Sequence, residues 1–149
     1  KKTKVNKIQK NYFLSEIFFN LDSTKKFDEI YELVKESIIT VGFKNTANKF
    51  SLSDTAKLGG TIGWVSENQL SETILNEVNK LEEGEVTKPI NISGGFLILK
   101  LEKKENKEIS IDLEKELKKR IAYERDRQLN QFALIYFNKI KFSTKIDEK

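Results

Sequence analysis

From Tyr12 to Leu21 the chain reads YFLSEIFFNL, with aromatic and branched residues at period two, which predicts a strand. Phe13, Ser15, Ile17 and Phe19 fall on one face, and Leu14, Glu16 and Phe18 on the other. Glu16 is an acid between apolar neighbours, placed either at a solvated sheet margin or at the edge of a pocket. The period then changes. Phe27, Ile30, Val34, Ile38 and Val41 recur at three- and four-residue steps, the mark of an amphipathic helix with Ser23 as its N-cap and Gly42 as its stop. A shorter helical segment follows over Phe43–Lys49.

Gly59 and Gly60 predict a tight turn leading into a strand through Ile62 and Trp64. Ser66 and Gln69 have capping-box spacing, and Leu70, Ile74, Val78 and Leu81 form an apolar stripe on the helix expected next. Gly84 ends that helix. Glu85–Ile92 reads as a strand holding Pro89 at an edge, Gly94 and Gly95 as a hairpin turn, and Phe96–Leu101 as a buried last strand. Lys103–Glu108 (KKENKE) reads as a charged linker. Beyond it, a long helix over Asp112–Asn138 carries Leu113, Leu117, Ile121, Leu129, Phe132 and Tyr136 along one stripe. Ile140, Phe142 and Ile146 then alternate with polar residues as a short closing strand. No internal repeat is visible. The long stripe needs a cover, which points to a second copy, client segments or a missing part of the chain.

Composition narrows the chemistry. The 149 residues suffice for one compact domain with an appended element. The chain has no Cys and no His, which removes Ser-His and Cys-His nucleophiles, the usual zinc sites and any unperturbed base titrating near neutrality. Conventional hydrolysis and cofactor chemistry are therefore not expected. The 27 basic and 23 acidic residues are interleaved, leaving a net charge of +4 without a nucleic-acid motif. Residues 1–11 are the one Lys-rich run, expected as a solvated arm in preference to a polyanion-binding one. No apolar run approaches a membrane span. The start at Lys rather than Met suggests a processed or excised piece of a longer polypeptide.

Six of the seven glycines, the one Trp and the one Pro lie between Phe50 and Leu101. That stretch carries FSxSxTAxxGGxxGW from Phe50 to Trp64, QLxxxI from Gln69 to Ile74, LxxGEVxxPI from Leu81 to Ile90 and GGFxILKL from Gly94 to Leu101. With SEIFF at Ser15–Phe19, it resembles the parvulin-type peptidyl-prolyl cis-trans isomerase domain, in the form found in SurA-like periplasmic chaperones. The resemblance covers residues 12–104. It implies an α+β fold, a four-stranded antiparallel sheet wrapped by helices, here followed by the long helix and short strand of residues 105–149.

The implied reaction is rotation about an X-Pro bond, whose barrier of about 18–20 kcal/mol reflects partial double-bond character. An apolar site that grips the prolyl ring and desolvates the amide suffices without a nucleophile or cofactor. By the resemblance, the family's pocket-lining Met and Phe correspond to Leu70 and Ile74. Its first-strand histidine corresponds to Glu16, its Cys or Asp to Ser53, and its final-strand histidine to Leu97. The hydroxyl residues before that strand fall on Ile92 and Gly94. Glu16, Ser53 and Leu97 are thus the candidate catalytic positions, and Leu70, Ile74, Ile92 and Trp64 the candidate substrate contacts. Leu70, Ile74 and Trp64 are equally open to a plain packing role, which is the stronger reading for Trp64.

These positions support two readings. In one the fold is kept as a peptide-binding module with weak or lost isomerase activity; in the other an apolar groove still isomerises prolines without histidines. The resemblance implies partners among unfolded or proline-containing polypeptides, with outer-membrane protein clients, a periplasmic address and a chaperone domain upstream of residue 1. It also leaves open a homodimer through the C-terminal helix. Neither nucleic-acid binding nor membrane insertion is expected.

Overall fold

The computed structural model describes residues 3–22 and 24–147, with side chains described up to residue 131. Four strands, β1 (Lys4–Phe19), β2 (Thr61–Ser66), β3 (Ile90–Ile92) and β4 (Gly95–Asp112), form an antiparallel sheet in the order β2-β1-β4-β3. Helices α1 (Phe27–Val41), α2 (Phe43–Phe50) and α3 (Glu72–Asn79) join them, and α4 (Leu113–Asp147) ends the described chain. The residues divide into two compact units. One comprises Ile8–Lys107 and holds the sheet's core; the other comprises Lys1–Lys7 with Glu108–Lys149.

The core explains why the second half of β1 and the start of β4 are nearly continuous apolar runs: both faces of the sheet are covered there. On one face, Tyr12 and Leu14 of β1 and Leu97, Leu99 and Leu101 of β4 pack with Val78 of α3 and Ile90 of β3. On the other, Ile17 and Phe19 of β1 and Ile98 of β4 pack with Val34 of α1 and with Phe43 and Ala47 of α2. Each fully buried side chain here stabilises the fold by about 1.5–3 kcal/mol relative to exposure. Where β1 meets β2, Leu14 pairs with Gly63 and Ser15 with Thr61, so the register shifts and Ile62 is passed over. Such a bulge bends the strand and re-aims the side chains beyond it.

Several local expectations change. From Lys4 onward the Lys-rich start is solvent-exposed strand, not a free arm, and residues 103–108 continue β4 instead of forming a linker. Both runs are polar on each face, so their alternation gave no sign of a strand. Glu85–Ile92 is strand only over Ile90–Ile92, with Val86 making an isolated bridge to Lys100. The closing strand over Ile140–Ile146 does not form, because α4 runs through it to Asp147. The spacings 136–140 and 142–146 suit a helix as well as a strand. An established helix gains one hydrogen bond per added residue without a new nucleation cost. The N-cap expected at Ser23 lies outside the described residues; Lys26 occupies the cap position of α1, and Gly42 ends that helix as expected. Phe132, Tyr136, Ile140, Phe142 and Ile146 lie beyond the described side chains.

Candidate functional site

Strand alternation sends Leu14, Glu16 and Phe18 toward the face covered by α3. Beside this part of β1 runs the loop that follows α2. Leu52 N–H donates to the Phe18 carbonyl at 2.7 Å, Ser51 Oγ accepts from Phe18 N–H at 3.0 Å, and Glu16 N–H donates to the Gly60 carbonyl at 2.7 Å. The turn at its far end is held by Gly59 N–H donating to Asn48 Oδ1 at 3.1 Å. Gly60, with φ of +79°, approaches so closely that a Cβ there would collide with the Glu16 carbonyl oxygen. A residue with a side chain has no room at that position.

Between those anchor points the loop delivers two hydroxyls to the Glu16 side chain. Ser53 Oγ donates to Oε1 at 2.5 Å, and Thr55 Oγ1 donates to the same oxygen at 2.8 Å. The two hydroxyl oxygens stand 3.2 Å apart. Each hydroxyl has one proton. With both protons directed at the carboxylate, these are charge-assisted bonds that fix the Glu16 rotamer. All three residues are partly buried. Among the described residues Glu16 makes no ion pair.

On the same face of the sheet, seven apolar side chains (Phe18, Val65, Leu70, Ile74, Leu75, Leu81 and Ile92) pack partly buried on the core cluster, and four of them are called the apolar platform. Phe18, Leu70, Ile74 and Ile92 are each partly buried against the cluster formed by Leu14, Leu97 and Leu99, so each keeps some surface exposed. Gly95 makes room for the Phe18 ring: a Cβ there would stand 3.0 Å from Phe18 Cε2. The Ser66–Gln69 capping pair forms, Ser66 N–H donating to Gln69 Oε1 at 3.0 Å, but on a single tight helical turn separate from α3. Ser71 caps α3 itself, accepting from Ile74 N–H at 3.4 Å. Leu70 is therefore extended, with φ of −92° and ψ of 141°, and reaches the platform from the bend before α3, not from the single helical stripe that the spacing predicts.

The candidate positions do not all meet. Glu16 and Ser53 come together, and Leu70, Ile74 and Ile92 share the platform. Leu97 is 6% exposed, opposite Ile90 in the core, and offers nothing to a ligand. Trp64 is 49% exposed and meets Phe13 edge-on, with ring centroids 5.4 Å apart. Its neighbour Val65 packs on the α3 side, so alternation sends Trp64 to the opposite face, neither in the core nor on the platform. Two site residues are missed by sequence reasoning: Thr55, although it stands in the FSxSxTA motif, and Phe18, whose strand face is legible but whose role is not. Among the described residues, no group of three or more acidic side chains is placed to hold a metal, and no helix is long and apolar enough to cross a membrane.

Comparison with known proteins agrees with this fold. The family model for the rotamase PPIC-type PPIASE domain matches residues 19–103. Chaperone SurA of Pseudomonas aeruginosa is 35% identical over 82 residues, 55% of this chain and 19% of that protein. Foldase protein PrsA of Bacillus subtilis is 33% identical over 94 residues, 62% of this chain and 30% of that protein. The chain thus spans under a third of the length of these relatives. A crystal structure of a PpiC-type peptidyl-prolyl cis-trans isomerase domain superposes with a TM-score of 0.56 at 28% identity, covering 64% of this chain and 92% of that one. SurA-like chaperones of Campylobacter jejuni share the fold over 85% of this chain and 55% of theirs, with a TM-score of 0.56 at 16% identity.

Proposed function

The chain belongs to the PPIC-type PPIASE domain family, and on that premise we propose that it binds proline-containing stretches of unfolded polypeptide with little isomerase activity of its own. The observation that carries this reading is the composition of the site. An apolar platform of Phe18, Leu70, Ile74 and Ile92 is kept, while the positions that the resemblance matches to the family's histidines hold Glu16 and the buried Leu97. Burying a prolyl ring on such a surface provides non-directional affinity of about 25 cal/mol per Å² of apolar area. Rate enhancement needs more: interactions stronger in the twisted amide than in either planar form.

The second reading, a working isomerase, is favoured by one specific feature. The Ser53–Glu16–Thr55 trio is an ordered polar network, not a vacated one. Exchange NMR on an Xaa-Pro peptide, run beside an active parvulin, separates the two. Exchange far slower than with the active enzyme supports the binding module; comparable exchange overturns it.

As the wider role we propose a SurA-like periplasmic chaperone that assists outer-membrane proteins. The similarity to proteins named chaperone SurA supports it. So does the fit between a shallow apolar platform and barrel strands, which alternate lipid-facing and lumen-facing residues. The apolar positions Leu113, Leu117, Ile121 and Leu129 of α4 are 45–60% exposed, which supports a covering partner. We assign that cover to a further chaperone domain, with pairing of two copies as the alternative. Light scattering of the present chain distinguishes them, since a dimer favours pairing.

A further inference from the structure

Among the described residues no cation pairs with the Glu16 carboxylate. Its Oε1 takes both hydroxyl donations, Oε2 accepts no hydrogen bond among the described residues, and no Lys or Arg among them lies within ion-pairing distance. The charged residues on the same loop, Asp54 and Lys57, are exposed and offset one another in formal charge. A partly buried carboxylate loses solvation that a ligand cation can replace, and its field acts through less water than a surface charge's does.

We propose that Glu16 makes the site select prolines preceded by a lysine or arginine. The inference rests on the reading that the platform holds proline-containing segments. Glu16 stands two residues from Phe18 on one face of β1, a separation of about 6–7 Å along a strand. For a proline seated against Phe18, in a segment that runs with its preceding residue on the Glu16 side, that spacing is within the length of a Lys or Arg side chain. Ser53 and Thr55 act as positioning residues: they hold the carboxylate in one rotamer, so a ligand cation meets a charge already oriented. An acidic residue at that ligand position would face the carboxylate and be disfavoured.

The test is NMR titration of the Leu70 and Ile74 methyls with three proline peptides differing only in the preceding residue: Lys, Leu or Glu. The Lys peptide is expected to bind roughly three- to tenfold tighter than the Leu peptide, and the Glu peptide weakest. The spread should contract in 0.5 M NaCl, where screening is within about 4–5 Å. Glu16→Gln should bring the Lys and Glu peptides within about twofold of one another. Equal binding of the Lys and Glu peptides by the native chain overturns the proposal, as does discrimination that survives either high salt or E16Q. The salt arm needs no variant. Equal binding of all three leaves the platform reading standing, whereas failure of every peptide to shift the methyls overturns that reading and this one together.

Discussion

Glu16 and Gly60 are locked backbone to backbone. The Glu16 N–H donates to the Gly60 carbonyl at 2.7 Å, and the Glu16 carbonyl occupies the space a side chain at Gly60 would need. This pair fixes the loop carrying Ser53 and Thr55 against β1, and with it the geometry of the polar trio. Gly60→Ala meets both a backbone collision and an unfavourable positive φ, and should cost more than about 2 kcal/mol in a urea unfolding titration. A loss under about 1 kcal/mol would mean that the loop is not held this way.

A histidine placed at position 97, which the resemblance matches to a family histidine, should damage the protein instead of improving it. Leu97 is 6% exposed in the apolar cluster with Leu14, Leu99 and Ile90, where an imidazole gives up its hydration. Leu97→His is expected to destabilise by about 2–4 kcal/mol without raising the isomerisation rate, as read by thermal unfolding and peptide exchange NMR.

Tyr12 gives the fold a titration on the alkaline side. Its hydroxyl donates to Asn79 Oδ1 at 2.7 Å, and burial first, then the Glu67 carboxylate, raises its pKa above the usual 10.0. In the unfolded chain Tyr12 ionises at its ordinary value, while in the folded chain it stays protonated. Stability from this group is therefore complete below pH 10 and falls as pH climbs from there through the raised folded value. Tyr12→Phe should cost about 1 kcal/mol near neutrality and flatten that alkaline decline in urea midpoints measured from about pH 8 upward.

Trp64 should be nearly silent to ligands. It stands edge-on to Phe13 on the face away from Leu70 and Ile74. A proline peptide that shifts the Ile74 methyl is expected to leave Trp64 emission unchanged within a few nanometres. A large Trp64 response together with unmoved Ile74 would relocate the site to the opposite face.

How much of this is legible in the chain depends on whether the relevant contrast is local. The β1 alternation and the α1 stripe announce themselves because burial is periodic there, Gly94–Gly95 marks a turn, and the family motifs add a four-stranded antiparallel sheet. The charged ribbon of residues 103–108 does not, since a strand polar on both faces has no contrast to read. Glu16 raises a question that only folding answers: its partners Ser53 and Thr55 are 37 and 39 residues away and arrive on a loop with no periodicity. Trp64 misleads because its rarity suggests a role that the strand's alternation denies it. Leu97, singled out by the resemblance, is an ordinary core residue.

The central claim is that the surface formed by Phe18, Leu70, Ile74 and Ile92 is where an unfolded polypeptide binds. Methyl and aromatic NMR of the whole chain, titrated with a proline peptide carrying a flanking aromatic residue, tests it directly. The account predicts saturable shifts confined to those four residues and to Ser53 and Thr55, abolished by Leu70→Ala together with Ile74→Ala in a protein that still shows a folded spectrum. Saturable shifts that avoid all four side chains, or that persist undiminished in the double variant, would contradict it.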